Sequence, residues 1–136
     1  MPPFKHYKAG LQNVGSYQVS GRPWITGSLT LGIGEEHQIE FPKVAKSVTV
    51  INTDAGGDDI RVHFNTSSAP GNVISGLHYV PLNENRDSVS INCKCKEIYI
   101  SAPSTNAATA AYCVVAELTS ISTENMYTLT GSGLTT

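Results

Sequence analysis

The residues of this chain that could carry out chemistry are few and scattered. Its four histidines are His6, His37, His63 and His78, and none belongs to a Glu-x-x-His or His-x-Glu-x-His pattern that a helix could direct at one ion. His63 has the same strand parity as Arg61, which predicts that both side chains face solvent. We therefore expect the histidines to be exposed strand or loop residues.

The three cysteines offer a second possible site. Cys93 and Cys95 are one residue apart, which is a poor spacing for a disulfide within a strand. With Cys113 and one histidine they could hold a soft metal ion, although structural zinc sites usually use Cys-x-x-Cys turns. The simpler interpretation is that Cys93 and Cys95 continue the apolar face of Val89 and Ile91 as small hydrophobic residues. No metal is predicted.

A third group of reactive side chains is acidic. Asp54, Asp58 and Asp59 lie in one glycine-containing loop, and clustered carboxylates can bind calcium, but their spacing matches no EF-hand loop. We predict the solvated tip of a hairpin, whose charges discourage aggregation. The sequence also lacks a phosphate-binding loop, a Gly-x-Ser-x-Gly elbow and a dinucleotide fingerprint. We expect neither an enzyme nor a bound cofactor.

Composition restricts the partners. The chain has 136 residues, enough for one domain, and only 15% of them are charged. A net charge of -2 creates no field for holding DNA, and the basic aromatic stretch Phe4 to Lys8 is too short to indicate single-strand binding. No apolar run approaches the roughly 20 residues of a membrane span, and the N-terminus lacks a signal peptide's apolar core. We expect a soluble protein made in the cytosol, without nucleic-acid or membrane partners.

The elements that must position any site are short strands. Leu29, Leu31 and Ile33 alternate with polar residues, and so do Ile39 and Phe41. Pro42 is expected to separate this second strand from a third that begins at residue 46. The apolar run 110–119 could form a helix, but its β-branched residues favour a central strand, and residues 126–130 could add an edge strand.

The pattern predicts an all-β fold, an antiparallel β-sandwich of the jelly-roll type. The boundaries are an N-terminal arm over residues 1–27, the sandwich over 28–130 and a flexible tail over 131–136. The predicted core consists of Leu29, Leu31, Ile39, Phe41, Val48, Val50, Ile60, Val62, Phe64, Val89, Ile91, Ile98, Ile100, Tyr112, Val114 and Leu118.

The N-terminal arm contains large aromatic residues but is interrupted by glycine and proline. Ordering such a segment costs about 1–2 kcal/mol per residue, so its rings need a surface to bury against, either this domain or a neighbour. We therefore predict a partner-binding interface, with no catalytic, metal or cofactor residues. Its members are Phe4, Tyr7, Tyr17, Arg22 and Trp24.

The stretch Gly10 to Gly27, GLQNVGSYQVSGRPWITG, resembles the N-terminal region of small structural proteins of marine tailed bacteriophages. The Ser-, Thr- and Gly-rich body is similar in type to capsid decoration, or cement, proteins. The resemblance implies a noncatalytic virion protein on the capsid exterior that binds the major capsid protein and stabilises contacts between its subunits. It also implies a homo-oligomer, with a trimer favoured.

Two alternatives have the same composition. The first is a structural protein of the tail or its fibres. The second is a jelly-roll carbohydrate-binding module in which Trp24, Tyr79 and Tyr99 form a platform for stacking sugars.

Overall fold

A computed structural model describes residues 21–67, 73–74 and 77–128. Within these ranges the chain is nearly all β, and its antiparallel sheet curls into a half-barrel. The all-β expectation is therefore confirmed. The seven strands are β1 (Arg22–Leu31), β2 (Glu36–Asn52), β3 (Ile60–His63), β4 (Val80–Leu82), β5 (Ser88–Ile91), β6 (Cys95–Ser101) and β7 (Ala110–Leu118). A 3-10 helix, Thr123–Asn125, follows β7.

The strand β2 organises the sheet. It runs for 17 residues, and its first part pairs with β6 while its second part pairs with β7 on one edge and β5 on the other. We expected Pro42 to divide it into two strands, and this was wrong. Pro42 lies in the register shift between Glu40 and Ala45, where the ladder with β6 is interrupted, so its missing N–H costs no ladder bond there.

The two parts of β2 belong to two halves of the sheet. One half has the order β1-β7-β2 with β5 beyond, and the other has the order β2-β6-β3-β4. The loop between β2 and β3, residues 53–59, has the predicted glycines, and Gly57 takes a positive φ of 76° that glycine adopts without strain.

The core lies inside the curl. Most of the predicted core residues are buried or packed against it, with Ile60, Ile98 and Val114 fully enclosed. The pattern did not reveal residues at the bend of β2 and after β7. These are Val44, Ala45, Ile121 and Met126.

One predicted core residue, Leu29, lies outside and is 79% exposed. The register of β1 against β7 shifts between Ser28 and Leu31, where three steps along β1 match two along β7. Before the shift, the even-numbered residues Trp24 and Ser28 face inward. The extra residue reverses this alternation, so the odd-numbered Leu31 is fully buried. Leu29 and Leu31 therefore do not share a face.

The ends of the sheet also differ from expectation. β1 begins at Arg22, so residues 22–27, which we assigned to the arm, form its first six positions. The predicted edge strand at 126–130 is absent from residues 126–128, where Met126 instead packs into the core after the 3-10 helix. The rest of that prediction lies outside the described residues.

Candidate functional site

The predicted interface residues that the structure describes lie at the start of β1. Arg22 is exposed at its first position, and the Trp24 ring packs against the core, 5.3 Å from the Phe41 ring in an edge-to-face contact. Phe4, Tyr7 and Tyr17 lie outside the described residues.

The outer edge of β1 is an unusual feature of the sheet. The strand pairs with β7 only, and no described strand covers its second edge. From Pro23 to Leu31 it carries no charged residue, while Ile25 and Leu29 are 66% and 79% exposed. Proteins usually protect such edges with lysines, charges or coverage, so this edge is suited to pairing with another chain segment.

The second group of interest surrounds His63. We expected this side chain in solvent, and this was wrong, because it is 1% exposed. Its Nδ1–H donates to the Asn65 carbonyl at 2.7 Å, which leaves Nε2 to accept from the Ser101 hydroxyl at 2.8 Å. The Tyr99 ring stacks on it, with 6.0 Å between centroids.

Ser101 and His63 are of the residue types that form a nucleophile and its base, but both are buried. Ser101 is 5% exposed, and a substrate carbonyl could reach its Oγ only if the covering groups moved. Burial lowers the pKa of His63, against the opposing effects of the Asn65 bond and of Glu36. Glu36 accepts from the Thr66 hydroxyl and the Ser67 N–H, so this cluster ties the chain after β3 to β2. Its geometry is that of a structural network.

A similar network lies at the same end of β2, on the two residues that flank Glu36. Glu35 accepts from Gly32 N–H at 3.1 Å and from His37 Nε2–H at 2.8 Å, and His37 Nδ1 accepts from the Tyr112 hydroxyl at 2.9 Å. The Gly32 and His37 bonds lower the pKa of Glu35. Burial, with a smaller effect of Glu35, raises the pKa of Tyr112 and keeps it a neutral donor. These hydrogen bonds join β2 to β7 beside the turn 32–35.

Cys93 and Cys95 pack with the core, and no described residue joins them in a metal centre. Cys95 is fully buried in the core, as the hydrophobic interpretation expects, and Cys93 packs beside it. The two thiols share a hydrogen bond, which lowers the pKa of Cys93 and, together with burial, raises that of Cys95. Within the described ranges, no three His, Cys, Asp or Glu side chains gather where they could hold a metal ion.

The Asp54 and Asp58 carboxylates of the acidic loop already accept hydrogen bonds from within the protein. The Asp54 carboxylate accepts from Asp58 N–H at 2.8 Å, and the Asp58 carboxylate accepts from Ala107 N–H at 3.1 Å. Asn106 bonds both backbone groups of Asp59. These bonds make the loop an ordered bridge to the segment before β7, where we had predicted a solvated tip.

Of the three aromatic residues of the predicted sugar platform, Trp24 lies on a different side of the sheet from the two tyrosines. Trp24 packs on the core side, where Phe41 also lies. Tyr99 has the strand parity opposite to that of the buried Ile98 and Ile100, and it stacks on His63. Tyr79 lies under the Arg61 guanidinium, 4.7 Å from its ring centroid.

An acidic cleft, which the sequence did not predict, lies at the bend of β2. It has a volume of about 290 Å³, which is room for one or two side chains rather than a drug-sized ligand. Lys96 Nζ donates to the Met126 carbonyl at 3.3 Å at one side of it. The residues lining the cleft are Glu40, Phe41, Lys96, Glu97, Thr123 and Glu124.

Sequence reasoning missed this cleft because its acids come from distant parts of the chain. Glu40 and Glu97 face each other in the ladder between β2 and β6, and Glu124 joins them from the 3-10 helix. Strand parity places Glu36 and Glu40 on one face of β2, but the pairing partner of a strand cannot be read from its own residues.

No family model, curated protein sequence or solved structure matches this chain. In the part of the chain that the structure describes, there is no helix of the length and hydropathy needed to cross a bilayer.

Proposed function

We propose that this chain is a noncatalytic structural protein of a phage particle, and specifically a capsid decoration protein. In this role it binds the outside of the head and strengthens the contacts between major capsid subunits. The observation that carries the proposal is the second edge of β1, which no described strand covers and which has no charged residue from Pro23 to Leu31, at the point where the N-terminal arm joins the sheet.

An edge of this kind favours assembly. Its backbone N–H and C=O groups have no described strand partner, and Ile25 and Leu29 add apolar side chains that water solvates poorly. A strand of a neighbouring protein that pairs with β1 would satisfy both. Arg22 and Trp24 lie at the start of the same strand.

Two further observations support a structural rather than a catalytic role. The resemblance of residues 10–27 to marine phage structural proteins covers the arm and the first part of β1. In the buried networks around His63 and Tyr112, the polar groups bond to each other and join the strands. Neither the Ser101 hydroxyl nor the Tyr112 hydroxyl is therefore open to a substrate.

The predicted arm residues Phe4, Tyr7 and Tyr17 complete the proposed interface. A stable interface buries about 1,200–2,000 Å², and several subunits in a symmetric cluster would add avidity. We favour a trimer bound to the capsid exterior, in which each subunit's edge and arm contact a neighbour or the major capsid protein.

We also infer that the curled sheet is a jelly-roll-like sandwich. Two observations support this finer description. β2 is shared by both halves of the sheet, and β4 of one half contacts β5 of the other next to the turn 83–87 that joins them. One core contains residues of both halves, as in facing sheets.

The test is cosedimentation with DNA-free heads of the phage that encodes the chain. We expect the protein to sediment with heads and not with isolated tails. The double variant Ile25→Lys, Leu29→Lys should reduce bound protein at least tenfold, because two charges on the edge block strand pairing. The matched control Ser104→Lys, Thr105→Lys adds the same charge at an exposed turn and should bind normally.

Other results would reject the proposal in distinguishable ways. Binding to tails alone would show a tail protein, and specific binding on a glycan array, lost in Tyr79→Ala, would show a carbohydrate-binding module. Normal head binding by the folded Ile25→Lys, Leu29→Lys variant would show that the β1 edge is not the interface.

A further inference from the structure

β1 is the longest of the outer strands in the described sheet. The other two, β4 and β5, have only three and four residues, and β4 includes Pro81, as is usual at protected edges. β1 has ten residues, and its ladder with β7 is continuous from Arg22 to Ser28. A further strand can therefore add to the sheet along this stretch.

Exposed apolar side chains are concentrated along the same strand. Of the five large apolar residues that are exposed in the described ranges, Ile25, Leu29 and Ile33 lie on β1 or just after it. Ile25 and Leu29 lie on the outward face of β1, and Ile25 pairs with Val115 of β7. Because a lone subunit leaves both aliphatic side chains in water, a partner that covers them is favoured.

The charges near β1 stand at its two ends and have opposite signs. Arg22 is exposed at the first position, and the next charged residue is Glu35, whose carboxylate lies against Gly32 just after the last position. The Glu35 side chain is 51% exposed, and its described hydrogen bonds, from Gly32 and His37, both use Oε1. Its second oxygen can accept from a guanidinium. An antiparallel neighbour of the same sequence brings the positive end of one strand to the negative end of the other.

Arg22 and Glu35 also lie on the same side of the sheet. Arg22 has the strand parity of Trp24, whose ring packs against the core. Glu35 bonds His37, whose other ring nitrogen bonds the hydroxyl of the buried Tyr112. A two-fold axis perpendicular to the sheet keeps the core sides of two copies on one side, so the opposite charges of the two strands can meet.

The spacing along β1 selects one register for such a pair. Two identical antiparallel strands place residues of equal parity opposite each other, so one residue lies on the two-fold axis. With Gly27 on the axis, Ile25 lies opposite Leu29 of the second copy, and symmetry repeats this aliphatic pair. In the same register Arg22 lies opposite the turn that holds the Glu35 carboxylate.

We propose that the β1 edge of the free protein pairs with β1 of a second copy, antiparallel about Gly27, with Ile25 against Leu29 and Arg22 against Glu35. The inference rests on the role in assembly that the proposed function gives to this edge, and it names the partner of the edge before a head is bound. On the particle, a strand of a capsid subunit takes the place of the second copy.

Charge reversal tests the contact between the strand ends. Arg22→Glu and Glu35→Arg each bring like charges together in a homodimer, so sedimentation velocity should show a dimer at least threefold weaker than that of the wild type. An equal mixture of the two variants restores both pairs of opposite charges, and a heterodimer of wild-type strength should form. The controls Arg86→Glu and Glu84→Arg change the charge equally at exposed turn positions and should dimerise normally.

Cysteine cross-linking tests the register. The single variants Ile25→Cys and Leu29→Cys are mixed in equal amounts and oxidised mildly, and digestion with mass spectrometry identifies the joined positions. We expect links between position 25 of one variant and position 29 of the other in at least threefold excess over 25–25 and 29–29 links. Directly opposed Cβ atoms are about 4.5–5.5 Å apart, close to the spacing that a disulfide needs.

Three results would overturn the proposal. A monomer or a cyclic trimer over about 1 µM to 1 mM would mean that the edge does not pair with itself. A dimer that both Arg22→Glu and the double variant Ile25→Lys, Leu29→Lys leave unchanged would use another surface, and an excess of 25–25 links would mean another register.

The two proposals fail separately, because these measurements contain no heads. A monomeric protein that still sediments with heads would reject this inference alone. A protein with the expected dimer that binds no heads would reject the proposed function alone.

Discussion

His63 and Asn52 show how buried polar side chains join the strands of this sheet. Asn52 is fully buried, donates to the carbonyls of Asp58 and Leu82, and accepts from Asp54 N–H. His63 is held by Asn65 and Ser101. Neither role was predictable from the sequence, because strand parity indicates which face a residue occupies and not what loop or neighbour covers that face.

Stability should fall as the pH falls through the histidine range. Burial depresses the pKa of folded His63 below its usual 6.5, so its stabilising effect is complete above pH 6.5 and is lost as the pH falls through the folded pKa. The groups facing it are Glu36 on β2, Arg61 on its own strand and the Tyr99 ring on β6. Urea denaturation between pH 7.5 and 5 should show a slope approaching about 1.4 kcal/mol per pH unit from this group.

The variant His63→Gln isolates that slope. It should lower stability at pH 7.5 but reduce the loss between pH 7.5 and 5. An unchanged pH profile in His63→Gln would assign the dependence to other groups.

Replacement of Asn52 by alanine should be strongly destabilising. The variant leaves the buried Leu82 carbonyl and the part-buried Asp58 carbonyl and Asp54 N–H without their partner. A buried orphaned group costs about 1–3 kcal/mol and a part-buried one less, so a loss of roughly 3 kcal/mol is expected. Thr53→Ala, at the adjacent exposed position, should change stability by less than about 0.5 kcal/mol. Equilibrium denaturation measures both, and similar values for the two would show that water replaces the Asn52 bonds.

At the scale of elements, the sequence predicted strand existence well and strand geometry poorly. β3 and β6 follow from period-two alternation, and the choice of strand over helix for the apolar run that forms β7 is confirmed. The bulge in β1 and the bend in β2 were missed. Both depend on where two distant strands come into register. A single extra residue in β1 places Leu29 on the opposite face of the strand from Leu31.

Gly27 should be intolerant of a side chain even though it lies on an exposed part of β1. A Cβ at this position would lie 2.7 Å from the Tyr112 carbonyl oxygen, which is backbone and cannot swing away. Gly27→Ala should therefore cost about 1–3 kcal/mol by forcing β1 from β7. Gly32→Ala, whose Cβ would meet only the Glu35 side chain at 3.5 Å, is the matched control in thermal unfolding. Equal melting temperatures would show that β1 shifts freely.

At the scale of the molecule, composition indicated a single all-β domain, and the structure agrees as far as the fold class. The candidate surfaces were harder to anticipate. The aromatic arm directed attention to residues 1–27, but its last six residues belong to β1. The acidic cleft required three segments that are distant in sequence, as residues 40, 97 and 124 show.

The position of β1 sets where the chain can be shortened. Deleting residues 1–20 should leave a cooperatively unfolding domain, because β1 keeps its whole ladder with β7. Deleting residues 1–31 removes that ladder and the fully buried Leu31, and it should abolish the cooperative transition. Circular dichroism during heating compares the two. Loss of cooperativity in the shorter deletion would mean that the arm is part of the core.

The shared strand β2 has a mechanical consequence. It is hydrogen-bonded to β6 along its first part and to β5 and β7 along its second, with bonds that lie across the strand direction. A pull along this strand loads those bonds together in shear. A pull on β1, which among the described strands is bonded to β7 alone, can peel its bonds apart one at a time. A subunit anchored through β1 would therefore yield first at its attachment, and the body would survive the tension.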